Sequence, residues 1–103
     1  MRKELEWETE FRSFLEGVTR NVAVQRDYVA RCRTVSEHEG SIFNHYRLNQ
    51  GKALLDRLTY NTTDERSGAK QRHSIPIDGN IRKGTASYRT AVNRYFDFLR
   101  QRN

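Results

Sequence analysis

The feature that most constrains this chain is the helical spacing of its apolar residues, which is clearest near the C-terminus. Within residues 85–101 apolar side chains recur every three or four positions, and polar residues occupy the other side. This pattern predicts an amphipathic helix over about 85–101, with Thr85 or Ser87 as its N-cap. The predicted apolar face consists of Ala86, Tyr88, Ala91, Val92, Tyr95, Phe96 and Leu99.

Three earlier segments repeat the same period and predict helices over about 4–17, 23–38 and 45–60. Only 35% of the 103 residues are hydrophobic, and β-branched runs are few, so the apolar stripes must pack on one another. We therefore expect a single all-α domain, a compact bundle of four or five helices. The stripes are Trp7, Phe11, Phe14, Leu15 and Val18; Val24, Tyr28, Cys32 and Val35; and Leu48, Leu54, Leu55 and Leu58.

Residues 61–84 lack a helical stripe and are predicted to form a long basic loop before the last helix. Asp78-Gly79 suits the type I′ turn of a small hairpin. Pro76 would confine the first strand of that hairpin to the edge of a sheet. A coil without strands is the alternative that we favour for this segment.

Cysteine content and hydropathy restrict the location of the protein. Cys32 is the only cysteine, so no disulfide forms within the chain, and its helical position predicts a small buried apolar group. The N-terminus is charged, unlike a signal peptide, and no window approaches the roughly 20 apolar residues of a membrane span. We expect a soluble cytoplasmic protein of a bacterium, an archaeon or a phage, without a membrane partner.

The charge of +6 is distributed unevenly along the chain. Residues 1–16 hold three basic and five acidic residues, a balance of −2, whereas residues 66–103 hold nine basic and two acidic residues, a balance of +7. Fifteen of the nineteen basic residues are arginine, whose planar fork suits phosphates and guanine edges. This asymmetry favours an anionic partner at one end of the protein.

No constellation of catalytic residues is visible in the sequence. His38, His45 and His73 lack Cys or carboxylate partners at metal-ligand spacing and are expected at the surface. Residues 79–84 contain two glycines, but neither Walker nor dinucleotide-binding spacing, and no nucleophile elbow occurs. We therefore predict a protein that is not an enzyme and that holds no metal or cofactor.

The functional signal left in the sequence is a set of basic residues on a helical scaffold. These residues favour double-stranded DNA as the partner, because phosphate contacts require only an exposed basic helix face or loop. Asn93 and Gln71 are candidates for additional contacts to base edges. The candidate phosphate contacts are Arg26, Arg33, Arg89 and Arg94 on helices, and Lys70, Arg72, Arg82 and Lys83 in the loop.

Three stretches resemble the N-terminal SAM-like core-binding domain of tyrosine recombinases, the phage-integrase family. "SYRTAVNRYFDFLRQR" is similar to the last helix of that domain, "EFRSFLEG" to its first, and "QRDYVARCRTVSEHEG" to its second. The resemblance implies a four- or five-helix bundle that clamps one side of duplex DNA. It also implies that Arg26 and Arg33 of the second helix, and Ser87, Arg89, Thr90 and Arg94 of the last, contact the DNA.

The chain departs from that family in two respects. The catalytic domain, with its Arg, His-x-x-Arg and nucleophilic Tyr, is missing, and the 61–84 connection is longer than usual. The resemblance therefore implies a non-catalytic module that works with a catalytic domain in a longer parent chain. The alternative is a small phage or bacterial regulator or inhibitor that docks a partner protein through exposed aromatics and the 61–84 loop.

Overall fold

The computed structural model describes residues 5–102 and confirms the predicted all-α class. Helices make up 72% of these residues, which include no strand. The Cα radius of gyration is 13.7 Å, close to the ~13 Å expected of a compact domain of this length. Within residues 5–102, no helix has the length and apolarity that crossing a membrane requires. The described helices are α1 (Glu8–Val18), α2 (Val22–Glu39), α3 (Ile42–Asn49), α4 (Lys52–Arg57), α5 (Thr62–Ser67) and α6 (Ile81–Arg102).

The first helix begins later than its apolar stripe predicts. Trp7 has a left-handed backbone conformation with φ 58°, so α1 starts at Glu8; residue 4, the predicted start, lies outside the described residues. Phe11 and Leu15 are buried, whereas Trp7 and Val18 at the two ends of the stripe are exposed. The predicted core face is therefore correct in the middle of α1 and wrong at its ends.

The second helix agrees with the prediction to within one residue at each end. Asn21 caps α2, because its side chain accepts a hydrogen bond from the Val24 amide at 3.2 Å. Gly40, with φ 85°, follows the last turn in a conformation that favours glycine. The buried residues of α2 are Val29, Cys32, Val35 and Ser36.

The third predicted helix, 45–60, is wrong, because two short helices form in its place. Gln50 and Gly51 both have positive φ, 57° and 77°, through which an α-helix cannot continue. Gly51 lies so close to α6 that a Cβ atom on it would stand 2.1 Å from Cζ of Phe96. Glycine is therefore required at this bend for both its backbone conformation and its contact. α3 also starts earlier than predicted, since the Ser41 side chain accepts from the Asn44 amide at 3.2 Å.

The apolar face predicted for this region is wrong at Leu48. Leu48 is 79% exposed, whereas Leu54 and Leu58 are buried and Leu55 is half-buried. The bend after α3 changes the direction of the chain, so a stripe extrapolated across it does not stay on one side.

The connection predicted as a loop over 61–84 contains a short helix and a coil that is tied to the bundle. Asn61 and Asp64 form a reciprocal capping box that starts α5. Residues 68–80 follow as a coil without strands, so the hairpin considered around Asp78 and Gly79 does not form. Ile75 is fully buried and holds this coil in the core.

The last helix begins four residues before its predicted start. The Asn80 side chain accepts a hydrogen bond from the Lys83 amide at 2.9 Å, as an N-cap does. Thr85 and Ser87 are therefore inside α6, and the prediction that one of them caps the helix is wrong. Thr85 is instead buried in the core.

The core forms where α1 and α2 pack on α6. The Phe11 ring lies 5.1 Å from the Tyr95 ring and 5.6 Å from the Phe98 ring, centroid to centroid, an arrangement typical of interlocking aromatic side chains. The Tyr95 hydroxyl donates to the Glu6 carbonyl at 2.6 Å, and burial raises the pKa of that hydroxyl. The predicted face of α6 omits Phe98, which is buried, and includes Ala86, which is exposed.

Candidate nucleic-acid interface

The ten predicted DNA contacts occupy three parts of the fold. Two lie on α2, two lie in the coil that follows α5, and six lie on α6. The structure uses several of them for internal contacts and leaves others facing solvent. In chain order they are Arg26, Arg33, Lys70, Arg72, Arg82, Lys83, Ser87, Arg89, Thr90 and Arg94.

Arg33 is bound to a carboxylate of the first helix. Its Nε donates to Glu8 Oε1 at 2.7 Å and its Nη2 pairs with Oε2, a two-point contact that joins α1 to α2. The hydrogen bond from Arg33 is the main reason that the pKa of Glu8 is lowered, and the nearby charges of Arg33 and Arg12 lower it further. A guanidinium held in this way is not available to a phosphate without loss of the internal pair.

The arginines that flank α5 are also engaged. Arg72 donates to the Thr59 carbonyl at 2.6 Å and pairs with Asp64 at 3.3 Å. Arg82 pairs with Glu65 at 3.2 Å, so the first turn of α6 is tied to α5. These residues connect neighbouring parts of the chain.

Arg89 lies on the inner border of α6 and is half-buried. Its Nη1 donates to Thr59 Oγ1 at 2.7 Å, and the Thr59 carbonyl accepts from Arg72. Two of the predicted DNA contacts thus converge on one threonine at the end of α4. The position of Arg89 beside that threonine indicates a structural role.

The outer face of α6 has a different character. Lys83, Ser87, Thr90 and Arg94 are spaced by four, three and four residues, so they line one side of the helix, and all four are exposed or half-buried. We call these four residues the α6 stripe. No acidic residue occurs between residues 82 and 96.

The polar side chains of the α6 stripe make few internal contacts. The hydroxyls of Ser87 and Thr90 donate to backbone carbonyls one turn earlier, at 3.1 and 2.9 Å, and both oxygens keep acceptor capacity. Lys83 forms no ion pair with any residue in 5–102. Arg94 lies 3.6 Å from Asp97, whose carboxylate makes a closer pair with Arg100.

Arg31 of α2 stands next to this stripe and was not predicted as a contact. It lines a cleft of about 300 Å³ together with Ser87 and Tyr88 of α6. Asp78 borders the same cleft, yet no ion pair forms between it and Arg31, nor between Arg31 and any other described residue. One feature of the sequence could have identified Arg31 as a candidate contact. It falls on the apolar stripe of Val24, Tyr28 and Val35, where a charged residue is unexpected.

Within residues 5–102, no hydrogen bond or ion pair joins the remaining predicted contacts to the α6 stripe. Arg26 and Lys70 are exposed and form no ion pair within the described chain, Arg26 on α2 and Lys70 in the coil after α5. Gln71, a candidate for base contacts, instead donates to the Ile75 carbonyl at 2.7 Å and thereby shapes the coil. Asn93 is half-buried on α6.

One histidine contradicts the expectation of surface positions. His73 is buried, its Nε2 lies 2.8 Å from Thr85 Oγ1, and its Nδ1 accepts from the Ile75 amide at 3.2 Å. Burial lowers the pKa of His73, although the Glu39 carboxylate acts in the opposite direction. His73 therefore serves as a neutral link between the coil and α6.

The cysteine behaves as predicted, since Cys32 is fully buried. Its Sγ donates to the Ala91 carbonyl at 3.3 Å, and burial raises the pKa of the thiol. A thiol in this environment is protonated and inert. Residues 5–102 contain no group of three or more His, Cys, Asp or Glu side chains positioned to hold a metal ion.

These observations define an all-α protein whose last helix carries the α6 stripe, in which Lys83 has no carboxylate partner in the described part of the chain. Comparison with protein-family models, with curated proteins and with solved structures gives no match for this chain.

Proposed function

We propose that the protein is a non-catalytic DNA-binding module that holds duplex phosphates along the α6 stripe, with Arg31 beside it. The observation that carries this proposal is the contrast in charge pairing. Arg33, Arg72 and Arg82 are bound to carboxylates, whereas Lys83 and Arg31 pair with no carboxylate among residues 5–102. Unpaired cations on a convex helix are what phosphate contacts require.

The dimensions of the stripe suit a duplex. Lys83 and Arg94 are eleven residues apart, which corresponds to about 16 Å along a helix. That length matches roughly half a turn of B-DNA, along which several phosphates are in reach. Ser87 and Thr90 between the two cations are typical hydroxyl donors to phosphate oxygens.

This proposal revises the contacts that the recombinase resemblance implied. Ser87, Thr90 and Arg94 remain as last-helix contacts, Arg31 replaces Arg33 on the second helix, and Arg89 is removed. We infer a role in DNA recombination like that of an integrase core-binding domain, in a bacterial or phage cytoplasm. Strand cleavage would then belong to a separate catalytic domain.

A salt titration tests the proposal. Fluorescence anisotropy with a 20-base-pair labelled duplex is measured between roughly 50 and 250 mM salt. Three phosphate contacts predict a slope of log affinity against log salt near about −2.7. The variant Lys83→Gln/Arg94→Gln is expected to lose about 2 from the magnitude of that slope.

The matched control removes the same charge elsewhere. Arg20 and Arg66 are exposed, form no ion pair with any residue in 5–102, and lie before α2 and on α5. We expect Arg20→Gln/Arg66→Gln to keep the slope of the unaltered protein. Equal losses in both double variants would attribute binding to net charge, and no binding at 50 mM salt would refute the proposal.

The alternative, docking of a partner protein through the 61–84 segment, has less support from the contacts. Polar groups of that segment bond within the chain, as Gln71 does with the Ile75 carbonyl and Ser74 with Glu39. Binding of the duplex by the 61–84 variants Lys70→Gln and Arg72→Gln is expected to remain near that of the unaltered protein.

A further inference from the structure

A second surface of interest is centred on α3. Among the large apolar residues that the structure describes, Leu48 is the most exposed, at 79%, and Trp7 is 42% exposed at the start of α1. A single exposed leucine is ordinary in a folded protein. Here, however, it adjoins a groove with an apolar floor, and such a combination marks interaction sites.

The groove runs between α3 and the last turn of α6. Its floor is formed by Phe43, Tyr46 and Leu99, and its volume is about 420 Å³. Tyr46 packs on Phe96 with ring centroids 5.5 Å apart, so part of the floor is fixed by the core. A second recess of about 330 Å³ lies beside Asn44 and Leu48 on the outer side of α3. We call the two recesses together the α3 groove.

Two arginines border the α3 groove, and both rest on aromatic rings. The Arg47 guanidinium lies 5.9 Å from the Phe43 centroid and lines both recesses. The Arg102 guanidinium lies 3.7 Å from the Trp7 centroid. Neither forms an ion pair with a residue in 5–102, and no acidic residue lines either recess.

We propose that the α3 groove binds a short acidic segment of a partner protein, with one aliphatic or aromatic side chain in the recess and carboxylates on Arg47 and Arg102. No carboxylate within residues 5–102 pairs with the two arginines, and this positive charge favours an acidic partner. Arginine and aromatic residues are enriched among the residues that dominate protein interfaces.

A nucleic acid fits the α3 groove less well. The aromatic rings of the floor already have partners, because Phe43 contacts Trp7 and Arg47, and Tyr46 packs on Phe96. Leu48 and Leu99 are aliphatic and add no stacking surface, whereas single-strand binding depends on base–aromatic stacking. A phosphate backbone also supplies no apolar group for the recess. This site is independent of the α6 stripe, since Leu99 and Arg102 lie on another side of α6 from Lys83 and Arg94.

The test uses defined peptides, since the partner is unidentified. A fluorescein-labelled ten-residue peptide with a central Leu between Asp and Glu residues is the probe. One control peptide has Ala in place of Leu, and a second has Asn and Gln in place of the acidic residues. Because Trp7 is the only tryptophan, its emission reports independently whether Arg102 leaves the ring.

We expect the acidic Leu peptide to bind with a dissociation constant of about 10–100 μM, and each control peptide about tenfold more weakly. Leu48→Ser and Arg47→Glu are expected to weaken binding at least about tenfold. Lys52→Glu, an equal charge change at an exposed position of α4, should stay within about twofold. Circular dichroism verifies that each variant folds.

Three outcomes would overturn the proposal. The first is no binding of the acidic Leu peptide at 1 mM. The second is equal binding of the Ala and Leu peptides, which would indicate charge attraction alone. The third is tighter binding of a ten-nucleotide oligo-dT that Arg47→Glu abolishes, which would make the groove a nucleic-acid site.

Discussion

Two regions of the protein carry predicted phosphate contacts and differ in how their basic residues are paired. The first region is residues 58–80, which we call the connecting segment, and the second is the α6 stripe. Both carry basic residues that lie outside the apolar stripes of the helices. In the connecting segment Arg72 is held by Thr59 and Asp64. In the stripe Lys83 faces solvent without an ion-pair partner among the described residues.

The difference comes from where the carboxylates lie. The short helix α5 places Asp64 and Glu65 in its first turn, where the helix dipole favours them, and there they meet Arg72 and Arg82. No acidic residue occurs on α6 before Asp97. Charge composition alone therefore does not separate a structural cation from an available one, whereas the position of its nearest carboxylate does.

The largest expected effect is on stability, at the link that fixes the connecting segment. His73→Ala removes the contacts with Thr85 and the Ile75 amide and leaves a cavity. We expect the free energy of unfolding to fall by about 2–3 kcal/mol, measured by urea denaturation. His38→Ala, at an exposed position, is the control and should change it by less than about 0.5 kcal/mol. A similar small change in both variants would show that His73 does not hold the segment.

Two arginines on α2 sharpen the comparison, because Arg33 pairs with Glu8 of α1 whereas Arg31 borders the cleft beside α6. Arg33→Gln breaks the partly buried pair with Glu8 and should cost about 1 kcal/mol of unfolding free energy without altering the salt slope of DNA binding. Arg31→Gln should leave stability unchanged and reduce that slope by about 1. The reverse assignment of the two effects would contradict the proposed interface.

Arg89 tests what separates structural arginines from DNA-binding ones: the internal partner of the side chain, or the helix that carries it. It belongs to α6 but donates to Thr59, so it groups with the connecting segment. We expect Arg89→Gln to lower the unfolding free energy by about 1 kcal/mol, as loss of one hydrogen bond does, and to leave the salt slope unchanged. A reduced slope with unchanged stability would return Arg89 to the DNA contacts that the sequence predicted.

The smallest effect is a pH dependence in the connecting segment. Because burial lowers the pKa of His73 below 6.5, the unfolded chain takes up the proton first. This contribution to stability is present above pH 6.5 and is lost as the pH falls below it, by at most about 1.4 kcal/mol per pH unit. Thermal melts of the unaltered protein and of His73→Asn, compared from pH 7.5 to about 5, measure it; parallel pH profiles would refute it.

Sequence periodicity was sufficient for long helices with regular stripes. It located α2 to within a residue and the buried side of α6, because apolar spacing and burial follow the same period there. It missed the bend at Gly51, which depends on the Phe96 ring of a distant helix. It also missed α5, since six residues are too short for a periodic signal.

The candidate interface was less predictable than the fold. The sequence identified α6 as basic, and four of its predicted residues form the α6 stripe. It could not show that Arg33 meets Glu8, because the pairing joins residues 25 positions apart on different helices. Arg31 was not predicted, because a charged residue within an apolar stripe looks like a break in the pattern. Its position beside Ser87 depends on how α2 packs on α6.

The central claim is that DNA meets the α6 stripe and not the connecting segment. The most direct test is a titration of the ¹⁵N-labelled protein with a 20-base-pair duplex, followed by two-dimensional NMR of backbone amides and arginine Nε groups. The account predicts the largest shifts at the amides of Lys83, Ser87, Thr90 and Arg94 and at the Nε of Arg31. Shifts confined to residues 58–80, or none at low salt, would contradict it.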